Sequence, residues 1–172
     1  MSKPDPSLLV DVVSDKVLGA MKAASEALSK AGVRHVVVGA LAVGANGHPR
    51  ATKDVDFLVG DEAFEHHEGG LVTLRAGVPF QVGSVAIDFL SIEPDEAFLE
   101  AALSEAPGAI ASAPALVYLK LKSPRMKDRA DVVELIKAGL DVPSCRAYLV
   151  ANAPALVAEL DESVKRAASE ED

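Results

Sequence analysis

The run His35-Val36-Val37-Val38 ends abruptly at Gly39, and this is the feature that most restricts the fold. Consecutive β-branched residues favour extended backbone over helix. An uninterrupted apolar run of this length reads as a buried strand. Gly39 then turns the chain into a short helix, Ala40 to Gly47, and a second strand covers Asp54 to Val59. A chain that begins this way needs a sheet with helices to cover it.

Upstream, Leu8, Leu9, Val12, Val13, Val17, Leu18, Met21, Ala24 and Leu28 follow helical spacing, with Ser7 as a cap and a break near Ser14. Gly32 stands where a left-handed helix cap is expected. Downstream, Asp61 to Glu68 reads as one or two exposed helical turns. Leu71 to Leu74, Val78 to Val82 and Val85 to Ile92 read as strands, with turns at Ala76-Gly77 and Gly83-Ser84 that argue for antiparallel hairpins. After Pro94 the pattern becomes helical: Asp95 to Ser104, Pro114 to Lys122, Lys127 to Ala138, Ser144 to Asn152 and Pro154 to Ala168. The expected fold is α+β, a mixed or antiparallel sheet of about five strands with helices packed on it. It forms one domain over residues 1–168, with its core at 32–92, a helical part at 95–168 and a frayed tail at 169–172.

Composition excludes several functions. With 26 acidic against 17 basic residues the net charge is −9, the wrong sign for non-specific binding to duplex DNA or to an anionic membrane. The longest apolar stretch, Ala106 to Leu119, is interrupted by Pro107 and Pro114 and is too short to span a bilayer. Cys145 is the single cysteine, so intrachain disulfides and multi-cysteine metal sites are ruled out. No signal peptide is evident at the amino terminus, and a cytoplasmic location is expected.

Chemistry concentrates in Arg50-Ala51-Thr52-Lys53-Asp54-Val55-Asp56-Phe57-Leu58-Val59. Strand alternation puts Val55, Phe57 and Val59 on one face and Asp54 and Asp56 on the other, with the two aspartate Cα atoms roughly 7 Å apart. Adjacent carboxylates repel, and a divalent cation relieves that repulsion; an oxygen-only pair suits magnesium or manganese. The plainer alternative is ion pairing with Lys53 and Arg50. Asp88 lies in Val85-Ala86-Ile87-Asp88-Phe89-Leu90, a run otherwise apolar on both faces, where a carboxylate needs a partner. Either it joins Asp54 and Asp56 as a third metal ligand, or it pairs with an arginine such as Arg75. Gly39 permits close approach of backbone to a ligand, and the helix after it offers amides suited to phosphate, although it can also simply make the turn. Lys120, Lys122, Arg125, Lys127 and Arg129 form a basic cluster that either binds phosphate or remains a solvated face with Asp128 and Asp131 as partners.

This order of strand, Gly-Ala helix, Arg-x-Thr-x-Asp-x-Asp strand and later single-Asp strand resembles the nucleotidyltransferase superfamily that includes DNA polymerase β. The closest likeness is to its small bacterial branch related to abortive-infection and type IV toxin–antitoxin nucleotidyltransferases. A second segment, Lys120-Leu121-Lys122-Ser123-Pro124-Arg125-Met126-Lys127-Asp128 with Asp131, is similar to that branch's Lys-Leu-x-Ala-x-Arg-x-Lys-Asp-x-x-Asp pattern. The resemblance implies that Asp54, Asp56 and Asp88 are catalytic and hold Mg2+ or Mn2+. It implies phosphate or nucleotide contacts from Gly39, Ala40, Arg50, Thr52, Lys120, Arg125 and Lys127. The implied reaction moves a nucleoside monophosphate from a nucleoside triphosphate to a hydroxyl on RNA, protein or a small molecule, in one form as a toxin with an antitoxin partner. The superfamily usually has Gly-Ser or Gly-Gly where this chain has Gly39-Ala40, so a catalytically inactive module that binds nucleotide or a protein partner is the alternative.

The remaining candidates point elsewhere. Glu65-His66-His67-Glu68 has metal-ligand residue types, but adjacent histidines diverge on a helix. His35 opens a buried strand, His48 follows the glycine helix, and Cys145 is expected in the core. Tyr118 either stacks on a base or packs.

Overall fold

The computed structural model describes residues 3–171. Helix α1 (Asp15–Lys30) begins where the Ser14 hydroxyl accepts the Val17 N–H at 3.3 Å. It ends at Gly32, whose φ of +73° allows Val33 to donate back to the Leu28 carbonyl at 2.9 Å, the expected left-handed cap. The upstream half of the periodic pattern is not part of this helix. Asp5, rather than Ser7, caps a separate 3-10 turn over Pro6–Leu9, and Asp11 at φ +69° separates the two pieces.

Strand β1 (His35–Val38) runs into helix α2 (Gly39–Ala45), and β2 (Val55–Val59) returns antiparallel to β1. Next come β3 (Phe64–His66), β4 (Val72–Leu74), β5 (Gln81–Val82) and β6 (Val85–Ser91). The main sheet has the order β1-β2-β6-β5, and β2 and β6 are parallel. The fold is therefore α+β with a mixed sheet, as expected, and β3 and β4 make a separate two-stranded sheet.

Three local expectations change. Asp61 to Glu68 holds only a 3-10 turn, Asp61–Ala63, before β3, because Phe64 to His66 pair with β4. No hairpin forms at Ala76-Gly77: β4 pairs with β3, not with β5. The run from Val78 also contributes less strand than expected, since Val78 is buried in the core and Pro79 has no N–H to give a ladder. The hairpin at Gly83-Ser84 does form, with Val82 opposite Val85.

After the sheet, a 3-10 segment (Pro94–Ala102) replaces the α-helix expected there. Helices α3 (Ala113–Lys122), α4 (Met126–Lys137), α5 (Val142–Asn152) and α6 (Val157–Glu170) complete the chain. Of the tail at 169–172, Ser169 and Glu170 belong to the last turn of α6, and Asp172 lies outside the described residues.

Alternation divides the sheet between two cores. Val37, Val55, Phe57, Val59 and Ile87 pack with Val17, Ala20, Ala24 and Leu28 of α1. Val36, Val38 and Leu58 pack with residues of α3, α4, α5 and α6, including Val117, Val132, Leu149 and Leu160. Each fully buried side chain of this size contributes on the order of 1.5–3 kcal/mol. Among the described residues no helix is long and apolar enough to cross a membrane.

Candidate active site

At the end of β1, on the α3 side of the sheet, lies a cleft of about 690 Å³. Val38, Gly39 and Ala40 line it where β1 passes into α2, and Asp54, Asp56 and Asp88 line it from β2 and β6 and the residue before β2. Arg50, Thr52, Lys120, Lys122, Arg125 and Lys127 also line it, whereas Arg129 of the basic cluster lies elsewhere and pairs with Glu159. Leu90, Leu116 and Leu119 supply apolar wall that the motifs did not indicate.

Topology brings the carboxylates together. Asp56 is in register with Asp88 across the parallel pair β2–β6 and with Val38 across the antiparallel pair β1–β2. Neighbouring strands lie about 4.8 Å apart, so the Asp56 and Asp88 side chains emerge side by side. Asp54 precedes β2 on the same face as Asp56. Asp56 is half-buried, and its carboxyl is pushed up to about 6, first by burial and then by Asp88 and Asp54; Lys120 and Arg125 oppose this from a distance.

Asp88 differs from expectation. It is exposed to the cleft rather than buried, because that face of β6 borders the opening instead of a core. Arg75 is not its partner; the Arg75 guanidinium donates to the Ala31 carbonyl. Among the described residues no lysine or arginine forms an ion pair with Asp54, Asp56 or Asp88: Arg50 pairs with Asp131, and Lys53 pairs with neither aspartate.

Gly39 has φ +66°, and a Cβ built there would overlap the Asp56 carboxylate oxygen and lie 2.9 Å from its Cγ. Glycine is thus required twice over, by its own backbone and by its neighbour's side chain.

The basic cluster is organised differently from a row of free cations. Lys120 is buried, with Nζ 3.0 Å from Asp128 Oδ1 and 2.8 Å from Asp131 Oδ2. Arg50 donates through Nε and Nη2 to both oxygens of Asp131, at 3.3 and 3.2 Å. Ser123 Oγ at 2.6 Å and Arg125 Nε at 2.8 Å donate to Asp128 Oδ2. Burial would raise the Asp128 carboxyl, but hydrogen bonds from Ser123, Lys120 and Arg125 outweigh it and hold it at about 2. Asp128 and Asp131 are therefore buried counter-charges, not the solvated surface partners of the plainer reading. Their spacing of three on α4 is the signal that was available, since it places both on one helix face. Arg125 keeps further donors, and Lys127 is exposed with no carboxylate partner among the described residues. The Thr52 hydroxyl makes long contacts to the Asp54 backbone, donating to its carbonyl at 3.4 Å and accepting its N–H at 3.5 Å.

The other candidates stay away from the cleft. His66 contacts Asp61 at 2.8 Å and His67 contacts Thr73 at 2.8 Å, both at the surface. His48 Nδ1 stands 4.0 Å from Glu134. Tyr118 is buried and packs, its hydroxyl donating to Glu96 at 2.5 Å and its ring edge-on to Phe98, so it is not placed to stack on a base. Cys145 is buried in the core as expected.

Among the described residues no group of three or more His, Cys, Asp or Glu side chains is arranged to hold a metal ion. Asp54, Asp56 and Asp88 make instead an open, oxygen-only, mutually repelling set. That donor chemistry fits magnesium or manganese, which keep waters and share one or two carboxylates with substrate phosphates.

No family model matches this chain, and no curated protein matches it. Among solved structures it is similar to the crystal structure of an antigenic nucleotidyltransferase-like protein from Paracoccidioides brasiliensis, at 16% identity and a TM-score of 0.46, over 87% of this chain and 94% of that chain. A likeness at that level assigns no residue and no activity.

Proposed function

We propose that this protein is a metal-dependent nucleotidyltransferase that moves a nucleoside monophosphate from a nucleoside triphosphate to an acceptor hydroxyl. The observation that carries the reading is the in-register Asp56–Asp88 pair, with Asp54 beside it and no paired cation, facing basic residues across one cleft. Asp54 and Asp56 would hold a magnesium or manganese ion, which when bound neutralises triphosphate charge and polarises the α-phosphoryl group. Gly39 and Ala40 present a lining almost free of side chain, where a phosphate can approach the backbone. Arg125, Lys127 and the unused donors of Arg50 and Lys120 face the remaining phosphate oxygens. The acceptor oxygen attacks the α-phosphorus as the bond to the bridging oxygen breaks. Pyrophosphate leaves with that electron pair, and Asp88 takes the hydroxyl proton.

The test is a thermal melt with each ribonucleoside triphosphate, with and without magnesium, followed by transfer from α-32P-labelled triphosphate. A magnesium-dependent upward shift and label transfer are expected for wild type, both lost in Asp54→Asn/Asp56→Asn. Transfer that survives the double substitution overturns the proposal.

One observation favours a second reading. Lys120 and Arg50 are engaged by Asp128 and Asp131, which leaves less free positive charge than the motif suggests. A module that captures nucleotide or a protein partner without turnover would show the melting shift with no transfer. The role of toxin with an antitoxin partner rests on the sequence resemblance alone, and growth arrest on expression, relieved by Asp56→Asn, tests it.

A further inference from the structure

Strand β6 is longer than the partner on its outer side. Strand β5 pairs with it only at Gln81–Ala86 and Val82–Val85, extended by one bond from the Ile87 N–H to the Phe80 carbonyl at 3.0 Å. That bond shows that the Ile87 N–H points to the outer edge. Backbone groups alternate along a strand, so those of Phe89 and Ser91 point outward too, while Asp88 and Leu90 bond inward to β2. Continuing the β5 register would set Pro79 opposite Asp88 and Val78 opposite Phe89. Pro79 has no N–H, and the Val78 N–H is engaged by the Arg75 carbonyl at 3.1 Å. No hydrogen bond from the described residues reaches the backbone of Phe89 or Ser91 on this edge. Natural sheets rarely leave such an edge uncovered without reason.

The open segment is also the rim of the cleft, since Asp88 and Leu90 line it. We infer that the acceptor is an extended, basic polypeptide segment that adds as a strand to the outer edge of β6 at residues 88–91. Main-chain hydrogen bonds to Phe89 and Ser91 would hold it in register. A residue of the added strand opposite Asp88 then lies about 4.8 Å away on the cleft face, which places a serine or threonine hydroxyl beside the carboxylates. Charge selects the occupant. With Asp54 and Asp56 engaged by a cation, Asp88, Glu93 and Asp95 remain exposed along and just beyond β6, and the protein carries a net charge of −9. Lysine or arginine side chains complement this edge, and RNA phosphates are repelled by it. Phe80, 70% exposed just before β5 begins, offers an apolar contact at the same edge.

The acceptor role rests on the transferase reading of the cleft; strand capture does not. In the transfer, the peptide hydroxyl oxygen bonds to the α-phosphorus, pyrophosphate departs with the electron pair, and the hydroxyl proton passes to Asp88.

The experiment uses a fluorescein-labelled peptide of alternating lysine and valine with one central serine, and the same peptide N-methylated at alternate residues. Fluorescence anisotropy with the full chain should show saturable binding, weakened about tenfold or more by N-methylation and by Ser91→Pro, as expected for an edge donor facing solvent. Binding that N-methylation leaves unchanged overturns the inference, and so does absence of binding. Because the methylated peptide is read on wild type, a Ser91→Pro chain that fails to fold does not decide the matter. Displacement of the peptide by a poly-uridine oligonucleotide, or sedimentation showing that two copies pair through this edge, also overturns it. Failure of the transferase reading is seen separately, as no magnesium-dependent triphosphate shift.

Discussion

The carboxylate of Asp56 occupies the space that a side chain on Gly39 would need. The last residue of β1, Val38, is in register with Asp56, so the turn into α2 begins against that carboxylate. The bare backbone at Gly39 and the position of Asp56 are thus one feature, in which the glycine makes room for the acid.

Gly39→Ala should therefore lose about 2 kcal/mol or more, from the left-handed backbone and the overlap together. Urea unfolding reads this directly. Triphosphate binding should fall as well, since Asp56 has to move. Stability equal to wild type would show that the carboxylate is free to turn aside.

Asp56→Asn in buffer containing EDTA should raise the melting temperature at pH 7.5. Burial, then Asp88 and Asp54, raise the folded-state pKa to about 6 from an ordinary 3.8. The folded state thus holds this proton more tightly than the unfolded state. The resulting stabilisation is complete below pH 3.8 and lost as pH rises through about 6. The advantage of Asn should shrink on acidification and vanish near the lower value. A lower melting temperature for Asn at pH 7.5 would mark Asp56 as a structural ion-pair partner.

Lys120→Met should be among the most damaging substitutions in the helical half. It leaves Asp128 and Asp131, 2% and 5% exposed, without their shared ammonium. Removing one member of a buried charge network costs about 3–5 kcal/mol. Because the Asp128 carboxyl lies at about 2 in the fold, its contribution is present above pH 3.8 and lost as pH falls through about 2. Denaturant titrations at pH 3 and pH 7 check both points, with Lys120→Arg as the variant that should restore most of the loss.

His35 should oppose Asp56 on acidification. It is fully buried, with Nδ1 2.8 Å from the Val33 carbonyl and Nε2 2.7 Å from Ser25 Oγ, which also accepts the Gly108 N–H. These partners assign the neutral ring with its proton on Nδ1. Burial, against the Val33 bond, lowers the pKa below 6.5, so the stability His35 contributes is present above that value and lost as pH falls. Replacing His35 by Gln should flatten the acid side of the melting profile, and the imidazole NMR shift of wild type should stay that of a neutral ring at pH 6.5.

Asp88→Asn should separate binding from chemistry. The side chain is exposed at the cleft, so the fold should be unaffected. The triphosphate-dependent melting shift should persist while transfer falls about 10²- to 10⁴-fold, the usual contribution of a proton acceptor. Equal loss of both would place Asp88 among the groups that bind rather than those that react.

Much of this was legible along the chain. The alternation put Val55, Phe57 and Val59 on one face and Asp54 and Asp56 on the other, and the structure agrees, with the first three packed against α1 and the aspartates at the cleft. Gly32 marked the end of α1, and Gly83-Ser84 marked the turn between β5 and β6, because a positive φ restricts residue choice locally. The two motifs that meet in the cleft, around Asp56 and around Lys120, were also both visible before their distance in space was known.

What the tertiary structure alone decided concerns partners and exposure. Strand β3 is three residues long, too short for a period to show, and exists because β4 folds back on it. Asp88 reads as buried in its apolar run yet borders the cleft, since nothing local states which face of β6 lacks a cover. Lys120 reads as part of a basic surface yet is internal, because α3 packs beside α4 and Asp131 draws Arg50 in from the loop before β2. Local spacing determines the face a side chain takes; which groups it meets there depends on pairings between distant segments, whose closure no short window of sequence records.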